Sequence, residues 1–168
     1  MLFRSELGHR WLTERARAGL GGILADDMGL GKTLQILSAV AALKENPPGD
    51  PDSQTSGASV LVVAPTSVLS TWKREADRFF PDLGIVVIPQ TRRRRDHDVS
   101  QLALGADIVV TSYTILRNDA EEWAATPFSG LIIDEAQAAK NPNTATHRAL
   151  RSVNTPWAFA VTGTPVEN

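Results

Sequence analysis

The segment that decides the fold reads GGILADDMGLGKTLQ over residues 21–35. A short apolar run, Gly22–Ala25, is followed by a loop with glycines at 29 and 31, then by Lys32 and Thr33. Glycines allow the backbone to turn closely, so that consecutive N–H groups point at phosphate oxygens. The start of a helix adds partial positive charge at the same place. A strand, a glycine loop, a lysine and a helix in this order predict a phosphate-binding loop.

Each residue type in this loop has a chemical role. We expect Lys32 to bind the β- and γ-phosphates of a nucleotide and the Thr33 hydroxyl to ligate Mg²⁺. The predicted nucleotide-binding residues are Asp26, Asp27, Met28, Gly29, Leu30, Gly31, Lys32 and Thr33. The strict pattern G-x-x-x-x-G-K-[ST] is incomplete, because Asp26 stands at the first glycine position. A glycine-rich turn with an exposed lysine is the alternative, which the flanking strand and helix patterns disfavour.

Two carboxylates follow a buried-strand pattern in LIIDEAQ, residues 131–137. We expect Asp134 to hold the Mg²⁺ shell and Glu135 to orient and deprotonate an attacking water, since displacement at phosphorus needs a positioned nucleophile. An acidic turn that caps the next helix is the alternative for the pair alone. A phosphate loop earlier in the same predicted sheet favours the nucleotide site.

Short apolar runs alternate with segments of helical spacing, which predicts an α/β domain with a mostly parallel sheet flanked by helices. The predicted strands are Gly22–Ala25, Val60–Ala64, Ile85–Ile88, Ile108–Thr111, Leu131–Ile133 and Ala158–Val161. The predicted apolar stripes are Leu34, Leu37, Val40 and Ala41 in helix 31–43, and Leu69, Trp72, Ala76 and Phe79 in helix 67–80. The predicted caps are Thr66 or Ser67 for the second helix, Asp119 with Glu122 as a capping box before Trp123, and Asn143 or Thr144 for a helix ending near Arg151.

Composition limits the class of protein. At 168 residues a single domain is expected, and a formal charge of −2 argues against nucleic-acid binding by bulk charge. The chain has no cysteine, and its three histidines are far apart, so neither a thiolate site nor a histidine metal site is expected. No apolar run approaches the ~18–20 residues of a membrane span. We expect an intracellular protein with a mobile surface loop at about 46–59 and a solvated arginine run at Arg92–Arg95.

Five blocks in this order resemble the SWI/SNF-type ATPases of helicase superfamily two: GGILADDMGLGKTLQ (21–35), VLVVAPTSVLSTWKREADRF (60–79), ADIVVTSYTIL (106–116), LIIDEAQAAKNPNT (131–144) and AFAVTGTPVEN (158–168). The resemblance covers nearly the whole chain. It implies a RecA-like P-loop NTPase domain over residues 1–168, a helicase ATP-binding domain that corresponds to the first of two lobes. The second lobe is absent from this chain.

The resemblance also implies residue roles. Gln137 would lie near the γ-phosphate, and Thr162, Gly163 and Thr164 would couple the nucleotide state to the DNA-facing surface. Groups around four residues would contact phosphates of the tracked strand: Pro65, Thr66, Thr111 and Ser112. Plain loop capping is the alternative for Thr111, Ser112 and Thr162. The implied cofactors are ATP and Mg²⁺, and the implied partners are double-stranded DNA, contacted without base reading, and a second lobe.

The chain departs from the family pattern at two positions. Ser5 stands where spacing places an adenine-recognising Gln, which implies weaker adenine selection or an altered N-terminus. Gln137 stands where many relatives have His. Without the arginines of a second lobe, we expect this chain alone to hydrolyse ATP negligibly.

The predicted function is the ATP-binding lobe of an ATP-dependent duplex-DNA translocase. A strand-separating DNA or RNA helicase lobe and a truncated, non-catalytic interaction fragment are the alternatives. The expected compartment is the cytoplasm, at the nucleoid in a bacterium, or the nucleus in a eukaryote.

Overall fold

The computed structural model describes residues 2–25 and 31–163. Within these residues the helices are α1 (Leu2–Arg17), α2 (Lys32–Glu45), α3 (Leu69–Phe79), α4 (Val99–Ala103), α5 (Tyr113–Asn118), α6 (Ala120–Ala125) and α7 (Ala145–Ser152). The strands are β1 (Gly22–Ala25), β2 (Val60–Ala64), β3 (Ile85–Ile88), β4 (Ile108–Ser112), β5 (Gly130–Ile133) and β6 (Ala158–Thr162). Short 3₁₀ turns occur at Thr66–Val68, Arg92–Arg94 and Ala136–Ala139.

The six strands form one sheet in the order β1-β6-β5-β2-β4-β3, and every neighbouring pair is parallel. The predicted α/β class with a mostly parallel sheet is confirmed. All five residues of β2 and of β4 are buried, as expected for central strands that helices cover on both faces. Because the strands are parallel, their carboxyl ends meet at one edge, where such sheets bind ligands.

The core has two layers, one on each face of the sheet. Alternate residues of β2 enter different layers: Val62 packs with residues of α1, α2 and α3, and Leu61 packs with residues of α5, α6 and α7. A Cβ on Gly130 would lie 2.0 Å from the ring of Trp157, so only glycine fits there. Three of the four tryptophans are buried, namely Trp72, Trp123 and Trp157, and Trp11 is partly buried against the core.

Several helix predictions need correction. The helix α1 has no counterpart among the predicted elements. In α2 the buried stripe includes Ile36, Ala39 and Leu43, whereas Leu34 and Ala41 are only partly buried. In α3, Phe79 is 48% exposed, since Leu69, Trp72 and Ala76 alone face the sheet. Neither Thr66 nor Ser67 caps α3, because the 3₁₀ turn precedes it, whereas the Thr144 hydroxyl caps α7 as predicted.

The carboxylates of Asp119 and Glu122 do not form the predicted capping box. Both accept hydrogen bonds from Arg95, at 3.2 Å and 2.9 Å, and the Arg95 side chain is only 5% exposed. Arg95 is therefore not part of a solvated run, although Arg92–Arg94 are exposed as expected. The capping box of this region lies at Asp98, whose carboxylate accepts from the Gln101 N–H at the start of α4. That hydrogen bond lowers the pKa of Asp98.

Residues 46–59 contain no helix or strand, in agreement with the predicted loop, and their mobility stays a prediction. The loop covers a cavity at the amino ends of the strands, the edge opposite the predicted nucleotide loop. In the described part of the chain no helix is long and apolar enough to cross a bilayer.

We predict that Arg95→Ala lowers the free energy of unfolding by about 3–5 kcal/mol, because two largely buried carboxylates lose their cation. Urea unfolding followed by circular dichroism measures this difference. The exposed Arg93→Ala is the matched control, with an expected change of about 0.5 kcal/mol or less. Equal stability of the two variants would contradict a structural role for the ion pair.

Candidate active site

Most of the predicted site residues lie along one edge of the sheet. Across the sheet, the carboxyl ends of the strands carry Thr162 at the end of β6 with Gly163 after it, Asp134 after β5, Pro65 after β2 and Ser112 at the end of β4. The predicted residues Asp26, Asp27, Met28, Gly29, Leu30 and Thr164 lie outside the described residues, as does the side chain of Ser5.

Lys32 is the first residue of α2 and is buried, with 6% of its surface exposed. Its Nζ donates a hydrogen bond to the carbonyl of Thr162 at 3.0 Å. A Cβ on Gly163 would lie 3.4 Å from the same Nζ, so the backbone after β6 passes close to the ammonium group. Gly31, which precedes the helix, has a φ of +89°, a conformation that favours glycine. The lysine is therefore held at the edge of the sheet and does not extend into solvent.

A chain of side-chain contacts joins this lysine environment to the acidic pair. The Thr162 hydroxyl donates to Oε1 of Gln137 at 2.9 Å, and Nε2 of Gln137 donates to the carboxylate of Glu135. Gln137 itself is exposed at the surface of the site. The residue predicted to lie near the γ-phosphate thus connects the predicted coupling residue to the predicted base.

Glu135 has an unusual backbone, with φ 51° and ψ 52°, the one non-glycine residue of the described chain with a positive φ. A side chain in this left-handed region costs of order 1–3 kcal/mol, and such residues concentrate at functional sites. The conformation ends β5 abruptly and starts the turn Ala136–Ala139. The backbone therefore turns back at the acidic pair, which brings Gln137 close to Glu135.

Hydrogen bonds hold both the backbone N–H and the carboxylate of Asp134. Its N–H donates to the carbonyl of Val63 in the neighbouring strand at 2.8 Å. Its Oδ2 accepts from the indole Nε1 of Trp72 at 3.0 Å, and its Oδ1 accepts from the Glu135 N–H at 2.9 Å. Burial raises the pKa of the Asp134 carboxyl, and the charge of Glu135 adds to this, while the two hydrogen bonds and Lys32 oppose it.

Tyr113 contacts the acidic pair from α5, whereas Trp72 contacts it from α3. Its hydroxyl donates to the carbonyl of Asp134 at 2.5 Å and lies 3.5 Å from the carbonyl of Glu135. Burial, with the charges of Asp134 and Glu135, raises the pKa of this phenol, so it remains a hydrogen-bond donor. Sequence reasoning missed the contacts that Trp72 and Tyr113 make with the site. The sequence did place both residues inside blocks that carry the family resemblance, Trp72 in residues 60–79 and Tyr113 in residues 106–116.

The four residues predicted to contact DNA differ in accessibility. Thr66 is exposed and Pro65 is half-buried at the end of β2. Thr111 and Ser112 are buried, and their hydroxyl groups are used within the fold. The Thr111 hydroxyl donates to the carbonyl of Ile88 at 2.8 Å, and Ser112 Oγ accepts from the Ile115 N–H as the cap of α5. Ser112 therefore caps a helix, as the alternative has it, whereas the Thr111 hydroxyl bonds the end of the neighbouring strand β3. Contact of these four residues with DNA stays a prediction, and Thr66 is the exposed residue among them.

The donor set agrees with a magnesium–nucleotide site. Mg²⁺ is usually held by one or two carboxylates and substrate phosphates, with waters completing its shell. Asp134 supplies one oxygen-rich side chain, and Thr33, half-buried in the first turn of α2, supplies a hydroxyl. No cluster of three or more His, Cys, Asp or Glu side chains able to hold a metal occurs in the described chain. The residues fit a metal that is shared with a bound triphosphate.

Comparisons with known proteins show what this chain is similar to. A family model described as the SNF2-related domain matches residues 6–168. The Zorya protein ZorD of Escherichia coli O139:H28 is 39% identical over 168 residues, which cover 88% of this chain and 15% of the relative. The ISWI chromatin-remodeling complex ATPase ISW1 of Saccharomyces cerevisiae is 33% identical over 165 residues, which cover 96% of this chain and 14% of the relative.

A solved structure of the Sulfolobus solfataricus SWI2/SNF2 ATPase core in complex with dsDNA superposes with a TM-score of 0.80 at 33% identity. The match covers 98% of this chain and 32% of that one. The chain spans less than a fifth of the length of the two curated relatives.

We predict that Asp134→Ala moves the indole N–H resonance of Trp72 upfield in a ¹H–¹⁵N spectrum, because the indole loses its acceptor. Only four indole signals are expected, so the assignment is tractable. Trp123 and Trp157, whose Nε1 atoms have no hydrogen-bond partner among the described residues, are internal controls and keep their positions. An unchanged Trp72 signal would contradict the contact.

Proposed function

This chain belongs to the SNF2-related domain family, and from that premise we propose that it is the ATP-binding lobe of an ATP-dependent double-stranded-DNA translocase. The observation that carries the proposal is the continuous set of contacts from Lys32 through Thr162 and Gln137 to Glu135. A buried ammonium group and an acidic pair at one sheet edge suit the binding and hydrolysis of a nucleoside triphosphate.

In the proposed site residues 26–31 would contribute to nucleotide binding, and the Lys32 ammonium group would bind the β- and γ-phosphates. Thr33 and Asp134 hold Mg²⁺, which when bound neutralises charge on the phosphates. Glu135 orients the attacking water and accepts its proton. The water oxygen then forms a bond to the γ-phosphorus as the bond between that phosphorus and the leaving nucleoside diphosphate breaks.

Gln137 and Thr162 are proposed to report the nucleotide state. Their hydrogen bond joins the turn after β5 to the end of β6, so both strand ends respond to what occupies the site. Gly163 keeps the backbone close to Lys32, and Thr164 continues the same segment.

Duplex DNA is the proposed partner at the end of β2. Thr66 is exposed there, and contacts from hydroxyl and backbone N–H groups to phosphates position a strand without reading its bases. A related solved core is described as a complex with dsDNA, which supports the partner.

We further propose that a second RecA-like lobe supplies the arginines that neutralise the developing charge, and that the protein acts inside the cell. Stimulation by duplex DNA, compared with single strands or RNA, distinguishes a translocase from a strand-separating helicase.

We predict that Glu135→Gln, in a two-lobed protein that carries this chain, keeps ATP binding but lowers turnover by about 10²–10⁴-fold, the usual contribution of a general base. The matched variant Lys32→Ala weakens ATP binding itself, since the cation beside the phosphates is lost. Equilibrium ATP binding and steady-state phosphate release separate the two effects. Equal ATPase rates for wild type and Glu135→Gln would remove Glu135 from its proposed role.

We predict that this 168-residue chain alone hydrolyses ATP about 10³–10⁵-fold more slowly than a two-lobed protein that carries it, because no arginine reaches the γ-phosphate from a second lobe. Phosphate release with saturating duplex DNA measures the difference. Robust DNA-stimulated turnover by the chain alone would contradict the two-lobe mechanism.

A further inference from the structure

We propose that Trp72 and Tyr113 are positioning residues that make the geometry of Asp134 and Glu135 respond to duplex DNA. Neither side chain reaches the proposed substrate, and each acts through the acidic pair. This inference rests on the proposed function, because it concerns the regulation of the same site.

Trp72 connects the exposed end of β2 to the Asp134 carboxylate. The turn Thr66–Val68 leads directly into α3, and Trp72 is the fourth residue of that helix. The indole is buried, with 1% of its surface exposed, and its Nε1 donates to Oδ2 of Asp134 at 3.0 Å. Because a short helix moves as a unit, a displacement of the Thr66 turn by a bound phosphate moves the indole and the carboxylate it holds.

In this fold an indole can be buried without a hydrogen-bond acceptor for its Nε1. Trp123 and Trp157 are also buried, and their Nε1 atoms have no hydrogen-bond partner among the described residues. The bond from Trp72 is therefore not explained by burial alone. Its acceptor is the carboxylate proposed to hold the metal, and a hydrogen bond to a charged acceptor is stronger than one between neutral groups.

Tyr113 connects β4 to the backbone of the acidic pair. It is the first residue of α5 and follows Ser112, the end of the strand beside β2. Its hydroxyl donates to the carbonyl of Asp134 and lies 3.5 Å from that of Glu135. The backbone at Glu135 is in the left-handed region, so its conformation depends on the contacts that surround it. The phenol is one of these contacts.

The two residues hold different parts of the pair from two separate elements. Trp72 holds the side chain of Asp134, and Tyr113 holds the main chain that aims Glu135. A shift of about 1 Å in a catalytic group costs about 10²-fold in rate, so small displacements of α3 or α5 are sufficient to change turnover. Duplex DNA at the end of β2, the strand beside β4, thereby sets the hydrolysis rate without touching the nucleotide.

The test uses Trp72→Phe and Tyr113→Phe in the full-length protein that carries this lobe. Trp123→Phe is the matched control, because it removes an equally buried indole that makes no hydrogen bond within the described chain. The measured quantities are kcat with and without saturating duplex DNA, KM for ATP, the Kd for DNA and the melting temperature. Tyr113→Phe removes a single oxygen, so it keeps the test decisive if Trp72→Phe does not fold.

The expected result is an about tenfold fall in the ratio of DNA-stimulated to basal kcat for each variant, the size of one lost hydrogen bond. KM for ATP and the Kd for DNA change by about twofold or less, and Trp123→Phe keeps the wild-type ratio. The inference is overturned if the variants keep that ratio, including the case in which both rates fall by the same factor. Wild-type protein without duplex-stimulated turnover would instead contradict the proposed function.

Discussion

The hydrogen bond from the Asp134 N–H to the carbonyl of Val63, 2.8 Å long, fixes the acidic pair relative to the rest of the sheet. It continues the parallel register of β5 with β2 by one residue beyond the last paired position, Ile133 with Val63. The strand on the other side of β5 is β6, which ends at Thr162. The acidic pair therefore lies between the strand end that contacts Lys32 and the strand end that carries Thr66.

At this edge Lys32 is buried and Asp134 is partly buried, and both are hydrogen-bonded. Burial of a carboxylate or an ammonium group is costly unless hydrogen bonds and opposite charge compensate it. Asp134 receives an indole N–H and a backbone N–H, and Lys32 donates to a backbone carbonyl. These bonds hold the two charged groups in place relative to the sheet.

The strands and the order of the motifs could be predicted from the sequence because they are local patterns. Continuous apolar runs marked every strand within one residue at either end, and the acidic pair follows one of these runs. The phosphate loop after another run stays a prediction, because residues 26–30 lie outside the described residues. The predicted capping box at Asp119 and Glu122 was wrong because the spacing of two carboxylates says nothing about Arg95, 24 residues earlier. Their true partner is a long-range contact that only the folded chain brings near.

The same reason explains why the roles of Trp72 and Tyr113 were missed. A tryptophan at helical spacing predicts a core residue, and Trp72 is one. Its bond to Asp134 depends on β5 lying beside β2, because this pairing brings the helix that follows β2 close to the end of β5, 62 positions along the chain. No local spacing contains this information.

The strand order also explains how several elements act on one acidic pair in the proposed function. Neighbouring strands are about 4.8 Å apart, so a side chain spans the distance from one strand end to the next. On one side of β5, the Thr162 hydroxyl at the end of β6 bonds Gln137, which in turn bonds Glu135. On the other side, Trp72 in the helix after β2 and Tyr113 after β4 bond Asp134. In the proposed function, these contacts connect nucleotide and DNA to the acidic pair through side chains and short helices, and the strand pairing stays unchanged.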